Sequence, residues 1–260
     1  MSFLATPSYP QQNVPGGEPT QRHGFNPYAD NGGSIIGIAG DDFLIMAGDT
    51  RHTAGYNINS RTERKVYRLG EESSLVLATV GFGADAKWLA DTMKRAVDVC
   101  FPRLSMMKDF KFQHNLKDMT VSAAAQFLFT ILYGNRFFPK YAYCILGGLD
   151  KNGKARLFSY DPVGSYSKEG ERRAAAGAAS SLIVPFLDNQ VEFKNQYVPG
   201  TQGMTERPVE YLPLEKVEML VKDAFTSATE RHIEVGDGLQ MVIVSAQHGV
   251  REEIIELKRD

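Results

Sequence analysis

The strongest constraint in this sequence is that its short apolar runs come in pairs, with a tight turn inside each pair. The first pair is SIIGIAG and DFLIMAGD, which are joined at Gly40–Asp41. The remaining runs pair as 65–69 with 74–80, 141–149 with 154–161, and 239–245 with 252–258. Two apolar runs around a short turn indicate a β-hairpin, and hairpins pair antiparallel strands. The sequence therefore predicts antiparallel sheets.

Helical patterns separate these strand pairs. Apolar residues recur at helical spacing over about 84–100, and the run at about 118–133 is apolar almost all round, which predicts a buried helix. A helix of small residues is expected over about 178–187, after a charged loop at 169–173, and a long amphipathic helix over about 213–231. Because helices bury their apolar faces on sheets, we predict an α+β fold. It is a four-layer αββα sandwich of two antiparallel sheets flanked by helices.

The first 33 residues differ in composition from the rest of the chain. They are rich in Pro, Gly, Gln and Asn, and cannot bury enough apolar surface to offset their ordering entropy. We expect residues 1–23 to be a disordered or removed prosegment, 24–33 an extension that lies on the body, and 34–260 a single domain. Residues of about 189–212 show no clear period and predict a surface insertion. Its central part, 196–211, is either an interaction arm or a loose loop.

Composition excludes several classes of function. Lys and Arg number 29 against 31 for Asp and Glu, and a net charge of −2 argues against nucleic-acid binding. No apolar run approaches the roughly 20 residues of a membrane helix. The N-terminus lacks the basic and apolar regions of a secretory signal. The two cysteines, Cys100 and Cys144, give neither a disulfide framework nor metal-ligand spacing. We expect an intracellular protein without cofactor or metal.

The order of elements resembles the proteasome beta subunits, from about Gly33 to the C-terminus, and is closest to the non-catalytic sixth beta position. The strings that carry the resemblance are FNPYADNGG (25–33), ILYGNRFFPKYAYCILGGLD (131–150), YDPVGSY (160–166), LDNQVEFKN (187–195) and GVREEIIELK (249–258), with GDTR in the second strand. The resemblance implies the N-terminal nucleophile hydrolase fold and a location in cytoplasm and nucleus. It also implies contacts with beta subunits of the same ring and across the ring–ring interface, and with alpha-ring subunits, but none with nucleic acid or membrane.

Active members of that family use an N-terminal Thr, which is freed when the prosegment is removed. Its hydroxyl attacks the peptide while its own α-amine takes the proton. A Lys lowers the hydroxyl's pKa, and an Asp holds the Lys. The matching residues here are Asp49 and Lys65, and the family's spacings count back from both to Gly33. Glycine has no side chain, so we predict that the nucleophile is missing and that Asp49 and Lys65 persist as structural remnants.

Ser34 is one residue further along the strand. Side chains alternate between the faces of a strand, so Ser34 should point away from Lys65. Three further positions that are polar in active members match Ala178, His232 and Val235 here, which indicates a lost site. The alternative is an active N-terminal-nucleophile hydrolase that uses Ser34 after cleavage between Gly33 and Ser34.

Two more assignments follow from the resemblance. The position of Asp150 lies close to a neighbouring catalytic subunit and helps line its substrate pocket. A turn Asp before Lys151–Gly153 is the other interpretation, and the two are compatible.

Trimming of the prosegment is expected at His23–Gly24 by a neighbour's active site, with an uncut tail as the alternative. The predicted function is a non-catalytic structural subunit of the 20S core particle in ubiquitin-dependent protein degradation.

Overall fold

The computed structural model describes residues 27–70, 73–105, 119–167, 172–201 and 203–259. In these ranges the helices are α1 (Gly83–Ser105), α2 (Val121–Gly134), α3 (Ser180–Gln190) and α4 (Leu214–Thr229). The strands are β1 (Ser34–Ala39), β2 (Phe43–Asp49), β3 (His52–Ala54), β4 (Asn57–Ser60), β5 (Val66–Arg68), β6 (Val76–Gly81), β7 (Ala142–Leu149), β8 (Ala155–Tyr160), β9 (Tyr166–Ser167), β10 (Arg173–Gly177), β11 (Gly238–Ser245) and β12 (Gly249–Glu256).

The strands of the described ranges form two five-stranded sheets and one small hairpin. The first sheet has the order β10-β1-β2-β11-β12, the second has the order β5-β6-β7-β8-β9, and β3 pairs with β4. Every pairing in both sheets is antiparallel, which confirms the prediction from the paired apolar runs. The register of β1 on β2 sets Ile35 opposite Gly48 and so brings the start of β1 beside the end of β2.

Three apolar clusters separate the layers. Side chains such as Ile35, Leu44 and Ile145 fill the space between the two sheets. A second cluster joins the first sheet to α3 and α4, and a third joins the second sheet to α1 and α2. Three apolar interlayers make four layers, so the predicted αββα sandwich is confirmed.

The structure corrects two predictions about local elements. Residues 173–177 form strand β10, where the sequence predicted a charged loop as far as residue 173. The segment RAAAG has little strand propensity of its own, and it is a strand because it pairs along β1. Helix α2 is also not fully buried. Its buried face includes Val121, Leu128 and Leu132, whereas Phe127 and Tyr133 are exposed.

The predicted surface insertion folds back on itself in an ordered way. The Val198 N–H donates to the Thr205 carbonyl at 2.9 Å, and the Arg207 N–H donates to the Gln196 carbonyl at 2.8 Å. Phe193, near its start, is buried. These contacts argue against a loose loop over 196–207. No contact in the described residues tests whether this segment reaches another subunit.

Gly37 makes a close approach between the sheets possible, and its replacement tests the packing. A Cβ at this buried position would lie 2.7 Å from Leu157 Cδ1 and 2.9 Å from Met46 Sδ. Overpacking of this kind costs about 1–3 kcal/mol, so Gly37→Ala should lower the free energy of unfolding by that amount. Gly134→Ala is the matched control, because a Cβ there meets no atom within 4 Å. Denaturant unfolding of both variants checks this, and equal stabilities would contradict the packing argument.

Candidate functional site

The candidate site lies where the N-terminal extension enters β1. Gly33 directly precedes β1, Asp49 ends β2, and Lys65 directly precedes β5. The pairing of Ile35 with Gly48 places Asp49 beside the start of β1. Lys65 reaches this point from the edge of the second sheet, so the two sheets meet at the site through side chains of opposite charge.

Lys65 and Asp49 form a buried ion pair. The Lys65 ammonium lies 3.1 Å from Asp49 Oδ2, and the side chains are 7% and 0% exposed. The same ammonium donates to the Asp49 carbonyl at 3.0 Å and to the Arg51 carbonyl at 2.5 Å. An ammonium group has three protons to donate, and these three oxygens accept all of them. Lys65 is therefore fully engaged by structural partners.

The Asp49 carboxylate links β1 to the segment after β2. Its Oδ1 accepts from the Ser34 N–H at 2.7 Å, and its Oδ2 accepts from the Arg51 N–H at 3.1 Å. Burial raises the pKa of Asp49 above its ordinary value, and the Lys65 ammonium and the two backbone donors oppose that rise. The carboxylate thus acts as a brace between strands, as expected for a buried, hydrogen-bonded group.

Gly33 is the residue toward which Lys65 points. A Cβ built on it would overlap the Nζ and Cε of Lys65 and would lie 2.9 Å from Asp49 Oδ1. Its φ of +82° lies in the left-handed region that favours glycine. Both observations favour glycine here, because the end of the Lys65 side chain occupies the space of a side chain at residue 33.

Ser34 lies on the opposite side of the strand. Its side chain is fully buried, and its Oγ accepts a hydrogen bond from the Ala179 N–H at 2.8 Å, at the start of α3. The Cβ direction of Gly33 meets Lys65, whereas the Ser34 hydroxyl meets α3. The two positions therefore alternate as side chains on a strand do.

The other predicted positions are only partly brought to the site. The Ala178 N–H donates to the Gly33 carbonyl at 2.8 Å, and both residues line an open cleft of about 400 Å³. Val235 packs in the apolar cluster with α3 and α4. His232 accepts a hydrogen bond from the Glu234 N–H at its Nδ1. Among the described residues, no group of three or more His, Cys, Asp or Glu side chains is placed to hold a metal ion.

Arg51, which was not predicted as a site residue, supports the loop that carries His232 and Val235. It is 2% exposed, with its Nε 2.7 Å from Asp237 Oδ2 and its Nη1 donating to the Ile233 carbonyl at 2.7 Å. Desolvation raises the pKa of Asp237, but the guanidinium groups of Arg51 and Arg61 together hold it below its usual value. No spacing in the sequence indicates this contact, because Asp237 lies 186 residues from Arg51.

Comparison with known proteins identifies the family. A family model described as proteasome subunit matches residues 29–244. The chain is a beta-type member of the proteasome subunit family. It is 52% identical over 238 residues to proteasome subunit beta type-6 of Saccharomyces cerevisiae, with 92% of each chain covered. Proteasome subunit beta type-1 of Danio rerio is 44% identical, covering 92% of this chain and 90% of the relative. The Drosophila melanogaster protein of the latter name is 36% identical over the full length of both.

Membership of this family makes the chain part of a protease complex, the 20S proteasome core, which it forms together with other proteasome subunits. No helix in the described ranges combines the length and apolarity that crossing a membrane requires. The predicted trimming residues, His23 and Gly24, lie outside the described residues.

Asp150 of this beta subunit holds its own turn. Its Oδ1 accepts from the N–H groups of Asn152 and Lys154 at 2.8 and 3.0 Å, and its Oδ2 accepts from Arg156 Nε at 3.3 Å. Desolvation raises the pKa of Asp150, but these donors together lower it below its ordinary value. The turn role is therefore present in the structure, and the neighbour-pocket role stays a prediction.

Removal of the Lys65 charge tests the buried brace. Lys65→Met leaves the Asp49 carboxylate buried without its cation, so the free energy of unfolding should fall by about 3–5 kcal/mol. Arg259→Met is the control, since its pair with Glu256 is exposed and should contribute at most about 1 kcal/mol. Denaturant unfolding at neutral pH measures both. A loss for Lys65→Met no larger than for Arg259→Met would contradict the brace.

The same variant has an expected pH dependence. Without the ammonium, only the Ser34 and Arg51 N–H groups oppose the effect of burial on Asp49, whose pKa is already raised and should rise further. A raised folded-state pKa favours the folded protein below the unfolded pKa, and this benefit is lost as the pH rises through the folded value. The difference in the free energy of unfolding between Lys65→Met and wild type should therefore shrink as the pH is lowered. Unfolding curves at a series of pH values would measure it.

Proposed function

We propose that this beta subunit is a non-catalytic, structural member of the 20S core. It fills one place in the beta ring, helps to enclose the proteolytic chamber, and shapes the substrate pocket of a neighbouring catalytic subunit in ubiquitin-dependent protein degradation. One observation carries the proposal: Gly33 stands at the position toward which the Lys65 ammonium points, and that ammonium already donates to three oxygens.

The chemistry explains why this arrangement is inert. Nucleophilic catalysis needs a hydroxyl or thiol that a nearby base can deprotonate. Gly33 offers no such group, and its nitrogen is an amide while the Gly32–Gly33 bond is intact, so it cannot act as an amine base. A lysine that tunes a nucleophile needs one donor left for it, in addition to the Asp that holds it, whereas the three protons of Lys65 face Asp49 and Arg51 oxygens. What remains is a structural tie between the two sheets.

The alternative nucleophile, Ser34, finds no support in the geometry. Its hydroxyl accepts from the Ala179 N–H, and its own N–H donates to the Asp49 carboxylate. Cleavage between Gly33 and Ser34 would convert that amide into a charged amine within a fully buried position. Activity through Ser34 would therefore require the start of β1 to be rebuilt.

The partners of this subunit are proposed to be the adjacent beta subunits of its ring, beta subunits across the ring–ring interface, and alpha-ring subunits. The exposed aromatic side chains near the end of α2 support burial against another protein surface; they are Tyr133, Phe137 and Phe138. We propose a location in cytoplasm and nucleus on the family resemblance.

A direct test is the fate of Ser34 in the assembled particle. Ser34→Ala should leave peptidase activity per particle unchanged, although loss of the acceptor for the Ala179 N–H should destabilise the chain by about 1–3 kcal/mol. A hydroxyl-reactive covalent protease inhibitor should leave this chain unlabelled. The intact mass of the chain should place its N-terminus upstream of Gly33. An adduct on Ser34, or a chain beginning there, would overturn the proposal.

Asp150 gives a second test, because the chain contains a matched control. Asp161 holds the turn at the opposite end of β8, where its Oδ1 accepts from the N–H groups of Val163 and Ser165. Both Asp→Ala changes should therefore loosen a turn, but only Asp150→Ala should change the preference of one peptidase activity of the particle. Hydrolysis of a panel of short peptides measures this. An equal change in every activity, or the same change for Asp161→Ala, would refute the pocket role.

A further inference from the structure

The segment just before Gly33 is bound to the body as a short extended peptide. The Asn31 N–H donates to the Gly81 carbonyl at 3.1 Å, at the end of β6, and the Asn31 carbonyl accepts from the Thr53 N–H in β3 at 3.0 Å. The backbone of residue 31 is thus paired on both sides, in the groove between the second sheet and the β3–β4 hairpin.

The Asn31 side chain spans the same groove. Its Nδ2 donates to the Thr53 carbonyl at 3.1 Å, and its Oδ1 accepts from the Gly83 N–H at 2.8 Å. Gly83 is the first residue of α1, and an N–H in the first turn of a helix has no partner within that helix. A primary carboxamide supplies both the donor and the acceptor that these two backbone groups require.

A second anchor lies three residues upstream. The Tyr28 hydroxyl donates to the Pro139 carbonyl at 2.7 Å, and its ring packs against Phe82, Phe138 and Tyr141 at centroid distances of 5.7–6.2 Å. Between the anchors, the Gly32 N–H donates to Asp30 Oδ1 at 3.0 Å, which shapes the turn into Gly33.

The bound segment fills the space next to Lys65. The cavity left there, lined by residues that include Asn31, Lys65 and Thr79, is about 20 Å³, which is close to the space that one water requires. Gly32 is buried against Thr53 and Glu234, because a Cβ at Gly32 would lie 2.9 Å from the Cβ of Glu234. The space between the segment and Lys65 therefore has no room for a second peptide, whereas the open cleft of about 400 Å³ lies beside Asp30 and Gly33.

We propose that this groove is a peptide-binding site whose resident ligand is the chain's own segment 28–32, with the Asn31 carboxamide as the group it recognises. The inference rests on the proposed function in taking the chain to stay uncut at Gly33. Because a protease needs an accessible backbone, occupancy of the groove protects the bonds from Asn31 to Gly33, whereas Ala29 and Asp30 are exposed. Trimming by other active sites then stops upstream of Gly32.

Asn31→Asp is the most selective test, since it keeps the shape but places an oxygen opposite the Thr53 carbonyl. Loss of one partly buried hydrogen bond, with two oxygens left facing each other, corresponds to about a 10-fold rise in the opening of the segment. In purified core particles, amide exchange over 31–33 should quicken about 10-fold in the variant. The particle's own active sites should then trim variant chains so that they begin at Gly32 or Gly33, seen by intact mass. Asn57→Asp, the same change on exposed β4, should behave as wild type.

Tyr28→Phe tests the groove independently if Asn31→Asp does not assemble. It keeps the ring but removes the bond to the Pro139 carbonyl, so exchange over the same segment should rise severalfold. Wild-type exchange and wild-type product masses in the assembled variants would overturn the inference and leave the non-catalytic proposal standing. A wild-type chain that already begins at Ser34 would sink both.

Discussion

The buried contact between Lys65 and Asp49 is the interaction on which the geometry of the site depends. A charged pair withdrawn from water is stable only when its remaining hydrogen-bonding capacity is used. Here the ammonium takes three oxygens, and the carboxylate takes two backbone N–H groups in addition to the lysine. These partners belong to β1, to the end of β2 and to Arg51 just after it, whereas Lys65 lies directly before β5, so the pair ties the two sheets together. Glycine at residue 33 leaves the space that the end of the Lys65 side chain occupies.

The layer architecture could be predicted because it follows from local patterns. Each apolar pair of runs formed an antiparallel pairing close to its predicted bounds, and the amphipathic helices cover the outer faces. The position of Gly33 beside Asp49 and Lys65 could be predicted only through the family resemblance. No periodicity in the sequence predicts that Lys65, directly before β5, will contact Gly33, directly before β1. The alternation that turns Ser34 away, in contrast, is a property of any strand.

The parts that could not be predicted depend on partners distant in sequence. Strand β10 is made of residues with little strand preference, and its pairing with β1 decides its conformation. Helix α2 is as apolar in composition as a buried helix, yet Phe127 and Tyr133 are exposed. Composition alone therefore predicts its burial incorrectly. Asn31 lies in the extension that was expected to lie on the body, but nothing in its composition indicates that all four of its polar groups have partners in β3, at the end of β6 and at the start of α1. Val235, matched by position to a residue that is polar in active members, packs in the apolar cluster with α3 and α4.

The lysine that fills the space beside Gly33 has an evolutionary consequence. A mutation that gave residue 33 a hydroxyl would first meet the Nζ and Cε of Lys65, in a backbone conformation that disfavours any side chain. A side chain at residue 33 would need both the end of the Lys65 side chain and the backbone at this position to shift. Replacement of this glycine by a single mutation is therefore disfavoured for as long as Lys65 keeps its present place.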